Sequence, residues 1–114
     1  MHRIALVAAL TALSVLPAAA QSFEGNWGCR DATSAKAGLL SIYGPVYGFA
    51  STTPGDAASG TGSITGYETG VAFNDGGLRT AREITAARVV ADPANGTALQ
   101  LETAQAIVML CTPR

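Results

Sequence analysis

Cys29 and Cys111 are the only thiols of this 114-residue chain, and His2 is its only imidazole. A thiolate beside an imidazole would be a nucleophile, and cysteines with histidines could hold zinc. Neither arrangement survives if His2 leaves with an export signal and the two thiols are joined to each other, as the sequence predicts below. A serine triad fails for want of the same imidazole. Eight carboxylates remain. Two could act as acid and base, or several could hold calcium, but no Asp-x-Asp or comparable spacing occurs and they read as solvated surface. The chain is therefore predicted to be non-enzymatic, with no catalytic residue, no metal and no cofactor. A carboxylate-dependent hydrolase is the alternative, and it would need two of Glu24, Asp31, Glu68 and Asp75 within about 5 to 10 Å of each other in a cleft.

The aromatics are the other chemistry-bearing group. Phe23, Trp27, Tyr43, Tyr47, Phe49, Tyr67 and Phe73 all precede residue 75. As a set they read as the bulky half of a small core. Trp27, Tyr43, Tyr47 and Tyr67 are nonetheless the candidate ligand- or partner-binding residues, because each combines an apolar body with a polar tip. Tyr43 and Tyr47 flank Gly44-Pro45 and are expected to be exposed together as a binding edge. Arg79, Arg82 and Arg88 form a local basic cluster around Glu83 and read as a solvated face.

Compartment decides what the cysteines mean. Met1-His2-Arg3 is a short positive segment, Ile4 to Leu16 is apolar, and Pro17-Ala18-Ala19-Ala20 is a helix breaker followed by small residues. This is the pattern of a cleaved signal peptide over residues 1–20, and its apolar run is shorter than the ~20 residues that span a bilayer. The expected product is residues 21–114, one small domain that is secreted or periplasmic, monomeric and not inserted in a membrane. Without Arg3, six Lys and Arg face eight Asp and Glu, so a nucleic-acid partner is not expected. In an oxidising compartment two cysteines imply one disulfide, Cys29 to Cys111. Closing so long a loop would stabilise the domain by about 4 kcal/mol in the chain-entropy picture.

The elements that must place these residues are short. All 13 glycines and four of the five prolines lie after residue 20 and punctuate the chain every few residues. The intervening segments are rich in aromatic and branched side chains and alternate like strands. Phe23 to Cys29 puts Phe23, Trp27 and Cys29 on one face. Gly38 to Tyr43 and Val46 to Thr52 form a hairpin about Gly44-Pro45. Residues 53–63 are small, polar and low in complexity, and are predicted to be a mobile loop. Ile64 to Glu68 and Val71 to Asn74 pair about Thr69-Gly70. Leu78 to Asp92 reads as a short helical turn supported by Arg79 and Glu83, then a strand; a single helix is the alternative. Asp92-Pro93-Ala94-Asn95-Gly96 is a turn, and Asn95-Gly96-Thr97 would be a glycosylation acceptor only in a eukaryotic secretory pathway. Ala98 to Glu102 shows Leu99 and Leu101 on one face, and Gln105 to Thr112 shows Ile107, Met109 and Cys111 on one face.

This predicts an all-β domain, a closed or nearly closed antiparallel meander barrel of about eight strands, with a two-sheet sandwich as the alternative. A disulfide between the first and last strands favours closure, which removes both open edges. Trp27 and Met109 would then meet at the seam.

Gly25-Asn26-Trp27 on the first strand after an export signal resembles the Gly-x-Trp opening of lipocalin and avidin-like (calycin) barrels. The resemblance implies that a basic residue at the end of the last strand packs over the Trp, and Arg114 is the candidate here. The chain is also similar in size to small exported one-disulfide barrels that inhibit proteases or lysozyme, although no inhibitor motif is present. The resulting expectation is an exported β-barrel binding module for a small apolar ligand or a partner protein, in the manner of an inhibitor. A structural envelope protein is a further alternative.

Overall fold

A computed structural model describes residues 23–114, and the expected signal peptide over residues 1–20 lies outside them. Eight strands follow one another: β1 (Gly25–Asp31), β2 (Lys36–Tyr43), β3 (Val46–Ser51), β4 (Gly60–Tyr67), β5 (Gly70–Phe73), β6 (Ala86–Asp92), β7 (Gly96–Glu102) and β8 (Ile107–Pro113). One short helix, α1 (Gly77–Arg82), separates β5 from β6. Each strand pairs antiparallel with the next, and β8 returns to pair with β1, so the sheet is a closed barrel. The meander fixes the two ends. The start of β1 and the turns at 44–45, 68–69 and 93–95 lie at the lower end; the segments 32–35, 52–59, 74–85 and 103–106 lie at the upper end.

Alternation sends one side of every strand inward, where a single apolar cluster fills the barrel. Leu40, Ile42, Tyr47, Phe49, Phe73, Leu99 and Leu101 are all buried within it. Tyr47 and Phe73 meet edge to face with ring centroids 5.0 Å apart. At the lower end Phe23 is buried and its carbonyl accepts the Trp27 indole N–H at 3.0 Å, so the chain folds back under the first strand. At the upper end Ala58, Leu78 and Ile84 are fully buried. Helix α1 has only six residues and no side-chain cap, too little to persist alone. Burying Leu78 and Ile84, each contributing about 1.5–3 kcal/mol, is what holds it.

The helical turn followed by a strand is present, and the single long helix is not: Glu83 adopts a left-handed conformation (φ 59°) and the Ile84 amide bonds back to the Leu78 carbonyl. Arg79 does not pair with Glu83 but donates to the Phe73 carbonyl at 2.8 Å. The segment expected to be mobile is shorter and better held than its composition suggests. Strand β4 already begins at Gly60. Within the loop, Asp56 accepts from Ser51 Oγ at 2.7 Å and from the Ala58 amide at 3.0 Å, and pairs with Arg82 of α1.

Two expectations about the last strand are corrected. Ile107 does not share the inward face of Met109 and Cys111 but is 54% exposed. The register shifts between Leu101 and Glu102, so β8 advances two residues while β7 advances one, and Ile107 is turned outward. Trp27 and Met109 are both buried but do not meet at the seam: Trp27 stands opposite Pro113 and Met109 opposite Asp31, one on each side of the Cys29–Cys111 bridge.

Candidate functional site

Four aromatic side chains were candidates for binding, and the barrel sorts them two and two. Trp27 is buried in the core. Tyr47 is 2% exposed, its hydroxyl donating to the Asp75 carbonyl at 2.9 Å, and burial pushes its phenol above the ordinary range. The expectation that Tyr43 and Tyr47 would be exposed together is therefore overturned. The hairpin turn contains only Gly44 and Pro45, so Tyr43 pairs with Val46 while Tyr47 pairs with Ile42 on the inward face. Of the four candidates Tyr43 and Tyr67 are left outside, 54% and 58% exposed, and Val46 beside Tyr43 is 50% exposed. All three border turns at the lower end of the barrel, Tyr67 beside the 68–69 turn.

The Tyr43–Val46 tip is held from beneath. Gly44 has φ +61°, a conformation that glycine adopts without steric cost. Its amide donates to Glu24 Oε2 at 2.6 Å, which ties the turn to the residue before β1. Asn26 Oδ1 accepts the Tyr43 hydroxyl at 3.1 Å and Ser41 Oγ at 2.8 Å. The phenol is thus fixed at its polar end while much of its ring faces solvent. Asn26 and Glu24 were not singled out by sequence reasoning as positioning residues. The available signal was their alternation, which puts both on the outward face of β1, where they can reach the neighbouring hairpin.

The carboxylates serve turns. Asp31 accepts from the Thr33 hydroxyl and amide and the Ala35 amide, the Thr33 hydroxyl being foremost in holding its carboxyl below the usual aspartate value. Asp75 accepts from the Ser63 amide at 2.7 Å and from Ser63 Oγ at 3.1 Å. Asp56 is likewise lowered, first by the Ala58 amide, then by Ser51. Of the four carboxylates from which a hydrolase would need two, Glu24 and Glu68 lie at the lower end and Asp31 and Asp75 at the upper end, with Glu24 bound to the Gly44 amide and Asp31 and Asp75 taken up by turn residues. Among the described residues no group of three His, Cys, Asp or Glu converges as a metal site.

Arg114 does not lie over the inward ring of Trp27. Its Cγ and Cδ run along the outward side of Gly28, 3.2 and 3.0 Å from where a Cβ would stand, and its amide donates to the Asn26 carbonyl. The three central arginines do not form a cluster: Arg79 bonds the Phe73 carbonyl, Arg82 pairs with Asp56 and Arg88 with Glu102. The Asn95 turn closes on Asp92 Oδ2.

Comparison with protein families, with curated proteins and with solved structures finds no match for this chain.

Proposed function

We propose that the chain is an exported, non-enzymatic barrel that binds a partner protein through the Tyr43–Val46 tip of its β2–β3 hairpin. The observation that carries this reading is a large aromatic side chain more than half exposed yet fixed by its own hydroxyl to Asn26. An exposed aromatic whose rotamer is already ordered loses little entropy on docking, which is what makes aromatic anchors effective in interfaces. Val46 stands directly opposite Tyr43, giving a paired apolar surface. Tyr67 lies at the same end of the barrel and extends the region a partner could cover.

Two features of the fold direct the partner to side chains on the outside. The barrel is closed, so no open edge invites an added strand. Its axis is filled by the core cluster, which favours a partner protein over a small apolar ligand held inside. The Gly25-Asn26-Trp27 motif fits such a scaffold residue by residue, with Trp27 in the core and Asn26 setting the binding tip.

The experiment is a binding survey of the exported protein against purified exported proteases and muramidases, followed by titration with any that bind. The expected result is one such enzyme whose affinity falls at least tenfold with Tyr43→Ala and is unmoved by Val90→Ala on the other side of the barrel. A bound enzyme indifferent to Tyr43→Ala and Val46→Ser would overturn the assignment of the surface, and no binding enzyme would overturn the inhibitor reading.

A further inference from the structure

Six of the chain's seven basic side chains lie in the described residues, and they fall into two sets. Arg82 and Arg88 each pair with a carboxylate, whereas Arg79 donates to the Phe73 carbonyl and Arg30 to the Ser34 carbonyl, neither of them pairing with a carboxylate among the described residues. Arg30, Lys36 and Arg114 make no ion pair among the described residues, although all eight carboxylates of the chain are in that set. The nearest carboxylate in sequence, Asp31, accepts from Thr33 and Ala35 instead. These three cations line one outer groove of about 240 Å3 along the β1–β2–β3 surface.

The register shows how the groove arises. Thr112, Gly28, Leu39 and Ala50 stand side by side across β8, β1, β2 and β3 on the outward face. Gly28 contributes no side chain, so the row sinks there, and the stem of Arg114 lies along the depression as one wall. Arg30 and Lys36 are direct cross-strand partners at the upper end of the groove. Like charges placed opposite each other on neighbouring strands destabilise a sheet. Arg30 lines the groove while one of its guanidinium nitrogens donates to the Ser34 carbonyl of the adjoining turn. The arrangement concentrates positive charge over an apolar floor, in a chain whose acids outnumber its bases.

We propose that this groove binds a phosphate monoester, its phosphate among Arg30, Lys36 and Arg114 and its organic part on Leu39 and Ala50. A doubly charged tetrahedral anion matches two planar guanidinium forks and an ammonium better than a single carboxylate does. Thr112 adds a hydroxyl at the floor. The site shares no residue with the Tyr43–Val46 tip, so it stands independently of the partner-binding role.

The test is a chemical-shift titration of the exported protein with phenyl phosphate, inorganic phosphate and benzoate, together with flotation on phosphatidylcholine vesicles with and without phosphatidic acid. Phenyl phosphate should move the amides of Gly28, Lys36, Leu39 and Thr112 and should bind more tightly than inorganic phosphate or benzoate. Lys36→Gln should weaken it about tenfold, as loss of one charge-assisted bond predicts. Lys36→Arg should retain it, and Tyr43→Ala should leave it unchanged. Binding of the free ester identifies a soluble ligand; flotation only with phosphatidic acid identifies a lipid headgroup. The proposal is overturned if neither occurs, if benzoate binds as tightly as phenyl phosphate, or if a folded Lys36→Gln, Arg114→Gln double variant binds like the parent.

Discussion

Cys29 and Cys111 are direct partners in the β1–β8 register and are bonded through sulfur across 82 residues of sequence. The same two strands also exchange backbone hydrogen bonds, so the barrel seam is closed twice, once by the ladder and once by the covalent bridge. Both cysteines face the core and are buried.

Removing the bridge should therefore loosen the seam without rearranging the sheet. Cys29→Ser with Cys111→Ser is expected to lower stability by about 2–5 kcal/mol while keeping the far-ultraviolet spectrum of the barrel. Thermal melts compare the two proteins. Thiol labelling of the unfolded, unreduced parent should find no free cysteine, and a labelled parent would contradict the bridge.

Tyr47 ties the core to the segment that follows β5. Tyr47→Phe keeps the packing against Phe73 but leaves the Asp75 carbonyl without its hydroxyl donor. A loss of about 1 kcal/mol is expected from urea unfolding, with an unchanged denaturant slope.

Gly70 is a steric constraint of another kind. A Cβ there would fall 1.9 Å from the Ala87 carbonyl oxygen, at one end of the shortest strand pairing of the barrel. Gly70→Ala should separate β5 from β6 and cost ~3 kcal/mol or more. Amide exchange should accelerate first at Val89, whose N–H bonds to the Thr69 carbonyl beside it. Gly66→Ala, where no atom lies near the added Cβ, is the matched control and should change far less.

Acid should act on the two turn aspartates. Asp31 and Asp56 are held below the ordinary value of 3.8 by hydrogen bonds that exist only in the folded chain. Their contribution is complete above about pH 4 and is lost as pH falls through their lowered folded values, because the unfolded chain takes up those protons first. Melting temperature should fall over that window. Asp56→Asn should lower it at neutral pH and flatten the acid dependence; an unchanged acid profile would show that Asp56 does not anchor the 52–59 loop.

Asn26→Ala separates positioning from contact. Losing Asn26 Oδ1 frees the Tyr43 hydroxyl and Ser41 Oγ at an exposed site, so the expected stability cost is about 0.5–1.5 kcal/mol. Partner affinity should fall with it although Tyr43 itself is retained, and Tyr43→Phe should fall similarly because both lose the same bond.

Much of the strand pattern was legible because the signals were local. Gly44-Pro45, Thr69-Gly70 and Asp92 to Gly96 mark turns by their own backbone preferences, and two-residue alternation assigns Cys29, Leu99, Leu101 and Met109 inward without knowledge of any neighbour. Where alternation was broken by pairing, it misled. The shift at Leu101 and Glu102 turned Ile107 outward, and no feature of residues 105–112 alone reveals it. Composition misled at the 52–59 loop for a related reason: the small polar residues that suggest mobility include Asp56, and its partners are Ser51 at the end of β3, the Ala58 amide and Arg82 in α1.

By itself the sequence determined an all-β chain, the inward set of most strands, the bridge between its first and last strands, and the want of imidazole after residue 2. These follow from residue types and short-range backbone rules. Which tyrosines face solvent, and which cations lack a carboxylate, were decided only by the tertiary structure. Exposure of Tyr43 depends on the two-residue turn that aligns it with Val46, and the groove of Arg30, Lys36 and Arg114 exists only because closing the barrel carries the end of β8 alongside Gly28.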